Sequence, residues 1–292
     1  DDAAAVKKVQ NGKVTNLAGL CDALADTPLL AHPGSRYDYG FTLEVLGRLC
    51  ELVGGQPLDK FVETRVLQPL GMKDTHFVVP AHKLKRVAVL YDSWEKTGKR
   101  PSGSALYSIR RWTNPESAPG IMSPGGGILS YHDAGMYSTA RDYARFCQMI
   151  LDGGLTADGQ RVLRAATMKE LWHDSLAPYA GRDGCVAGWS DSPEPEWAES
   201  ILNQQAQGFW DNNSWSLLNT HLLFREGSKG SSRVSHTMWM GGGGGAFWVV
   251  DRKRKLVAVS MTQCFGGRVV GVADGDDPDG SLLDCISRPL GR

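Results

Sequence analysis

Three consecutive stretches near the end of the chain decide the fold: AFWVVD at 246–251, RKRK at 252–255 and LVAVSMTQ at 256–263. The outer two are rich in β-branched and aromatic residues, which favour strands, and the middle one is a short charged break. The sequence therefore predicts a β-hairpin whose tip is the basic tetrapeptide. Four basic residues in a row are also typical of a nuclear signal or an anion-binding patch. In a chain whose formal net charge is zero, we interpret them as a solvated turn.

Five glycines occupy positions 241–245, directly before this hairpin. Because glycine has no side chain, such a run lets another molecule approach the backbone N–H groups closely. A flexible bend beside a strand is the alternative interpretation.

Upstream of the glycines, helical signals dominate. Apolar residues recur at helical spacing before the Gly54-Gly55 cap, and Thr139 begins a capping box that Asp142 completes. Residues 91–135 are rich in glycine, serine and proline and predict loops, whereas 175–235 show no clear period. The predicted helices are 17–30, 42–53 (with apolar Val45, Leu46, Leu49, Leu52 and Val53), 58–67, 139–150 and 165–172.

Composition excludes several classes of partner. The chain has 292 residues, 41% of them hydrophobic, with 32 basic and 32 acidic side chains. A neutral chain has no long-range field to attract nucleic acid or an anionic membrane surface. No apolar run approaches the roughly 18 residues of a spanning helix, so we expect a soluble protein without a membrane span.

No metal or cofactor site is predicted. The six cysteines are scattered without a CxxC pair, which favours free thiols. The aspartates between 274 and 279 resemble a calcium loop in composition, but Pro278 interrupts the ligand spacing. We interpret that segment as a solvated acidic loop.

Several short motifs follow one another along the chain: PGSRYDY at 33–39, EVLG at 44–47, QPLGMKDT at 68–75, FVVP at 77–80, YSTARDYARF at 137–146 and DGQRVL at 158–163. Together they resemble the serine β-lactamase, penicillin-binding-protein and esterase superfamily, in particular its class C β-lactamase and family VIII esterase branch. The terminal hairpin matches as well, so the similarity spans about residues 17–290.

The resemblance implies an α+β, β-lactamase/transpeptidase-like fold: an antiparallel sheet flanked by helices, with a mostly helical lobe beside it. Residues 1–292 would form one such domain, with the lobe and loops at about 17–235 and the sheet strands and the start of the last helix at 236–292. The family's first strands and nucleophile helix would precede Asp1. Where those elements would pack, we expect an exposed apolar face or an unpaired strand edge.

Family members place three motifs around one cleft: S-x-x-K, Y-x-N or a variant, and K-x-G, H-x-G or W-x-G on the edge strand. Tyr39 matches the tyrosine, which implies a general base or proton shuttle. Phe41 stands where asparagine is expected, as in esterase-like members, and would line the substrate cleft. A packing role for Tyr39 is the alternative.

The third motif has three possible frames. Counting back from the hairpin selects Met240-Gly241-Gly242, whereas the tryptophan itself selects Trp239-Met240-Gly241. His236-Thr237-Met238 is the third, with its glycine lost. All three place the glycines, including Gly243, at the cleft, where backbone N–H groups would stabilise an oxyanion, and place His236 near the substrate. We expect Tyr39 and residues 239–243 to face each other across it.

The first motif has no match at the expected place. Ser35, which begins SRYD, precedes Tyr39, and SWEK at 93–96 overlaps KTG at 96–98 and cannot supply two sides of a cleft.

One hypothesis is that this chain is the C-terminal part of a serine hydrolase of small acyl esters, amides or peptides, its nucleophile carried by an upstream segment or separate chain. The other is a non-catalytic subunit of a larger assembly.

Overall fold

A computed structural model describes residues 8, 13–29, 32, 41–89, 91–92, 110–111, 135–175, 213–218, 220–223, 235–242 and 245–265. The contacts divide the chain into two units. The first comprises Asp1–Val87 and Thr113–Val162, and the second comprises Ala88–Trp112 and Leu163–Arg292. Tyr39, Gly243, the SWEK segment and the acidic loop lie outside the described residues.

The first unit begins with helix α1 (Leu17–Ala25), which occupies the first part of the predicted 17–30 helix. The Asn16 side chain caps it by accepting a hydrogen bond from the Gly19 N–H at 2.9 Å. Its core side is made of Leu17, Leu20 and Ala23. Helix α1 packs against the next helix.

Helix α2 (Thr42–Gly54) ends as the Gly54-Gly55 pair predicts. Gly55 adopts a left-handed conformation with φ 64° and donates its N–H to the Glu51 carbonyl. Gly54 is required for a different reason, since a Cβ there would lie 2.6 Å from the Phe61 ring. Phe61 belongs to helix α3 (Leu58–Val62), which continues as a π-helical turn (Glu63–Leu67), so the predicted 58–67 helix is confirmed.

The apolar stripe that predicts α2 lies on its exposed side. Glu44 is fully buried and Gly47 is buried, whereas the aliphatic side chains of the stripe are about half exposed or more. Their exposed fractions are Val45 48%, Leu46 48%, Leu49 52%, Leu52 62% and Val53 83%. Globular proteins usually turn such a stripe towards the core.

Helix α4 (Ala140–Leu151) begins at the predicted cap, where the Thr139 hydroxyl accepts a hydrogen bond from the Asp142 N–H at 3.2 Å. The buried Asp142 carboxylate fastens this helix to the segment after α3. It accepts hydrogen bonds from the Asp74 N–H at 2.7 Å, the Thr75 hydroxyl at 3.1 Å and the Arg145 guanidinium at 2.8 Å. Each of these bonds is strengthened by the carboxylate's charge.

Asp74 extends this network to a short 3₁₀ helix (Ala81–Arg86). Both terminal nitrogens of Arg86 donate to its carboxylate, at 2.8 and 2.9 Å, and Lys83 lies 2.9 Å from it. These two cations hold the pKa of Asp74 well below its usual range. The loop that carries the QPLGMKDT motif is therefore fixed between α4 and the 3₁₀ helix.

In the second unit, helix α5 (Ala165–Leu171) confirms the predicted 165–172 helix. The predicted hairpin is confirmed as β6 (Phe247–Asp251) and β7 (Leu256–Ser260), joined by residues 252–255. Three further strands belong to the same antiparallel sheet: β3 (Asn213–Trp215), β4 (His221–Leu223) and β5 (Thr237–Gly241). The strand order is β3-β4-β5-β6-β7. All five residues of β6 are buried, so this strand is the centre of the sheet's core.

A second, smaller sheet is built from three two-residue strands. Strand β1 (Tyr91–Asp92) pairs antiparallel with β2 (Arg110–Arg111) and parallel with β8 (Cys264–Phe265). Strand β8 follows β7 after three residues, which places this sheet next to the end of the hairpin.

None of the helices in the described part of the chain is both long and apolar enough to cross a membrane.

Candidate functional site

Strand β5 carries the three frames considered for the third motif. It lies between β4 and β6 in the described sheet, which corrects the expectation that this strand is a sheet edge. Only residues 237–239 of β5 lie between two described strands, so the correction applies to these three residues. Strand β4 begins at His221 opposite Trp239 and pairs with residues 237–239, whereas β6 pairs with β5 through Gly241.

Among the described residues, the end of β5 is paired on its β6 side only. Met240 pairs with Trp248 and Gly241 with Phe247, and no described residue pairs with either on the β4 side. The Gly242 N–H points towards the hairpin, donating to the Ala246 carbonyl at 2.9 Å. Because backbone N–H groups alternate sides along an antiparallel strand, the Gly241 N–H is directed away from β6. Gly241 thus directs a backbone N–H away from β6, with no side chain of its own beside it.

The structure places the remaining predicted residues of this strand in different environments. Trp239 is 4% exposed and packs on Phe247, with ring centroids 5.9 Å apart, whereas Met240 is half-buried. Gly242 and His236 are exposed. The frame that begins at Met240 therefore has a partly accessible first side chain, and the frame that begins at Trp239 has a buried one.

Arg252 fixes the beginning of β5, and sequence reasoning missed this role. Its guanidinium lies over the Trp172 ring at 4.0 Å and donates to the Ser235 carbonyl at 2.7 Å, and its N–H donates to the His236 carbonyl at 2.8 Å. Burial lowers the pKa of Arg252. The interpretation of residues 252–255 as a solvated turn is therefore wrong for Arg252, although the other three are exposed.

Ser235 completes this anchor. Its N–H donates to the Trp172 carbonyl at 3.4 Å, and its hydroxyl accepts from the Thr237 N–H at 3.0 Å and donates to the Thr237 carbonyl at 2.7 Å. The strand that would present the oxyanion donors is thus held at one end by Trp172, Ser235 and Arg252. At its other end, β5 terminates in the glycine run at 241–245.

In the first unit, Phe41 is 8% exposed and directly precedes α2. Its ring belongs to the core of that unit, so no hydrogen-bonding group is presented at this position. Tyr39 is not among the described residues, and its position relative to β5 remains a prediction.

A cavity of about 490 Å³ in the first unit contains none of the predicted site residues. One of its walls holds His76, whose pKa is lowered by burial and by the neighbouring Lys83 ammonium, 3.1 Å from Nε2. It is lined by Asp59, Lys60, Glu63, Leu67, Gln68, Gly71, Met72, Lys73, Thr75, His76, Phe77, Val78 and Pro80. Within the described ranges, no three histidine, cysteine, aspartate or glutamate side chains are arranged to bind a metal ion.

A family model described as Beta-lactamase matches residues 2–277. Among curated relatives, esterase EstB of Burkholderia gladioli is 27% identical over 248 residues, which cover 82% of this chain and 52% of that protein. Penicillin-binding protein 4 of Amycolatopsis lactamdurans is 31% identical over 175 residues, covering 60% of this chain and 39% of that protein. This chain therefore spans about half the length, or less, of these relatives.

Solved structures show the same fold. EstCE1, described as a hydrolase with promiscuous acyltransferase activity, superposes with a TM-score of 0.54 at 20% identity, covering 86% of this chain and 57% of that one. The LovD6 mutant of simvastatin synthase (LovD) from Aspergillus terreus superposes with a TM-score of 0.57 at 19% identity, covering 90% of this chain and 62% of that one.

Proposed function

We propose that this chain, which belongs to the beta-lactamase family, is the C-terminal part of a serine hydrolase that transfers acyl groups from small esters, amides or peptides. The nucleophilic serine and its lysine are on a segment upstream of Asp1. The observation that carries the proposal is the end of β5, where the Gly241 N–H points away from β6 beside a run of glycines.

Acyl transfer needs three groups at one carbon: a nucleophile, a base that takes its proton, and N–H donors that stabilise the oxyanion. The β5 backbone around Gly241 is proposed as the source of donors. Tyr39 is proposed as the base or proton shuttle, since a phenol beside a lysine has a lowered pKa. The upstream segment supplies the serine that these groups act on.

The burial of Phe41 supports an ester rather than a β-lactam as the substrate. In the Y-x-N motif, the asparagine side chain can hydrogen-bond an amide substrate, whereas a phenyl ring cannot. With 8% of its surface exposed, Phe41 packs into the core and offers such a substrate no polar group. EstB, which covers more of this chain than the penicillin-binding protein described above, 82% against 60%, is itself named an esterase.

A non-catalytic subunit is the second candidate. Burial of Phe41 and Trp239 favours it, because neither side chain is positioned to contact a ligand. In that case the β5 glycines are scaffold, and the upstream segment adds no activity.

Replacement of Tyr39 distinguishes a serine hydrolase, in which this tyrosine is the base, from a non-catalytic subunit. In the longer protein that includes the upstream segment, we expect Tyr39→Phe to lower kcat for a p-nitrophenyl ester by about 100-fold or more, because the serine loses its proton acceptor. Tyr37→Phe is the matched control and should leave kcat within about twofold. Equal effects of both substitutions, or no effect of Tyr39→Phe, would count against the assignment of the base.

A further inference from the structure

The cavity of the first unit is a groove along α3. One wall is a single face of α3 and its π-helical turn, since the lining residues 59, 63 and 67 recur every four positions. The opposite wall comes from residues 71–80, which follow that turn. A volume of about 490 Å³ suits a small molecule. None of the described residues that are predicted for acyl transfer lines the groove, so a ligand there would occupy a second site.

The two ends of this groove carry opposite charges. Asp59 lies at the start of α3, and neither its carboxylate nor the Lys73 ammonium has an ion-pair partner in the part of the chain that the structure describes. Lys73 follows the far end of the helical wall, where the Met72 N–H donates to the Leu67 carbonyl at 2.8 Å. Leu67 is eight residues after Asp59, a distance of roughly 10–12 Å along a helix.

Apart from these two groups, the lining of the groove is neutral or apolar. Lys60 and Glu63 neutralise each other through an ion pair of 2.8 Å. Several apolar side chains also line the groove, and they gain free energy when a ligand removes them from water. These residues are Leu67, Met72, Phe77, Val78 and Pro80. The groove therefore favours a ligand with charged ends and a partly apolar body.

His76 adds a hydrogen-bond donor beside Lys73. The Lys83 ammonium, which pairs with Asp74 at 2.9 Å, donates to the Lys73 carbonyl at 2.5 Å and lies 3.1 Å from His76 Nε2. An ammonium has no acceptor lone pair, so Nε2 accepts and the imidazole proton is on Nδ1. Burial and the Lys83 ammonium lower the pKa of His76, which keeps the ring neutral. The positive end of the groove thus has an ammonium and a neutral N–H donor, a combination that suits one carboxylate.

We propose that this groove binds a short peptide with free termini, two or three residues long, with its carboxylate at Lys73 and its ammonium at Asp59. The site is separate from the one in the proposed function and does not depend on it. An extended peptide rises about 3.3 Å per residue, so three residues match the length of the groove along α3. A zwitterion pairs with both Asp59 and Lys73, whereas a simple anion or cation pairs with only one of them.

The first test is calorimetric titration of the full-length protein with the tripeptide Ala-Leu-Ala. We expect saturable binding with a Kd of about 1 mM or lower. N-terminal acetylation and C-terminal amidation of the peptide should each weaken binding about threefold or more, because each removes one charge. Absence of saturable binding up to about 10 mM would overturn the proposal. Equal affinity of the free and the doubly blocked peptide would also overturn it.

Substitutions test where the peptide lies. Lys73→Ala should weaken binding of the free peptide about threefold and leave binding of the amidated peptide unchanged, because amidation has already removed the charge that Lys73 contacts. Asp59→Asn should act in the same way on the free and the acetylated peptide. Binding that responds to neither substitution would place the peptide elsewhere and overturn the proposal.

Lys85→Ala and Asp22→Asn are the matched controls for these substitutions. Both side chains are exposed, belong to the first unit and do not line the groove. We expect each to change the Kd by less than about 1.5-fold. Effects as large as those of Lys73→Ala and Asp59→Asn would show a general dependence on surface charge and would overturn the proposal.

Other ligands and the other site give different results. Leucine alone, butyrate and butylamine should each bind more weakly than the tripeptide, and equal affinity of any of them would show that the groove does not recognise both termini of a peptide. Tyr39→Phe, in the proposed acyl-transfer site, should leave the Kd unchanged. Loss of peptide binding in that variant would place the peptide in the acyl-transfer site and overturn the proposal.

Discussion

Residues 1–292 alone are expected to hydrolyse an activated short-chain ester at no more than the rate of the uncatalysed reaction. The same residues preceded by their upstream segment are expected to turn it over. Removing the nucleophile from a concerted acyl-transfer site removes nearly all of the rate, about 10⁶-fold in a well-studied serine hydrolase. The oxyanion donors proposed on β5 and the base proposed at Tyr39 have no nucleophile to act on without it. The measurement is release of p-nitrophenol from a butyrate ester by both proteins at equal concentration.

Two outcomes of that experiment would contradict the proposal in different ways. Turnover by residues 1–292 that survives Tyr39→Phe would show that the site has been assigned to the wrong residues. Turnover by neither protein would favour the non-catalytic subunit. Both outcomes require that the assayed proteins are folded. Circular dichroism of each protein at the assay temperature is the control for folding.

Asp142→Ala is expected to lower the free energy of unfolding by about 3–5 kcal/mol. Asp142 is 3% exposed, and its carboxylate accepts from the Asp74 N–H, the Thr75 hydroxyl and the Arg145 guanidinium. Alanine leaves these donors without their acceptor. The buried donors cost the most free energy, because water does not take the place of the lost carboxylate.

The matched control for this prediction is Asp152→Ala at the other end of α4. Asp152 is exposed, and its carboxylate accepts one hydrogen bond, from Gln148 at 3.0 Å. Its replacement should change the free energy of unfolding by about 0.5 kcal/mol or less. Urea denaturation followed by circular dichroism measures both variants. Similar midpoints for the two would show that the Asp142 network does not stabilise the first unit.

The parts of the fold that were predictable from the sequence depend on local signals. The Gly54-Gly55 cap, the Thr139 cap and the β6–β7 hairpin are each determined by residues a few positions apart, and the structure confirms all three. Strands β3 and β4, in contrast, are three residues long and lie in a stretch with no period. Their pairing with each other and with β5 decides that they are strands, and local sequence does not contain that information.

Contacts between distant residues likewise decide which side of α2 faces outward and which backbone N–H of β5 points away from β6. Periodicity predicts that α2 is amphipathic, but the contacts of Glu51 and Gly54 with α3 decide which side faces outward. The glycine run marks the β5 end as a candidate donor strand, whereas the β4 and β6 registers decide that Gly241 has the outward N–H. In the sequence Arg252 is one of four equivalent cations, and its contacts with Trp172 and Ser235, both distant in the chain, distinguish it.

The most direct test of the central claim is to locate the covalent adduct that a serine hydrolase forms with a fluorophosphonate. The longer protein is incubated with the reagent, digested and analysed by mass spectrometry, with Tyr39→Phe as a variant whose labelling should be slower. The proposed function predicts one adduct, on a serine upstream of Asp1. An adduct on a serine within residues 1–292 would contradict it, and so would the absence of any adduct on the folded protein.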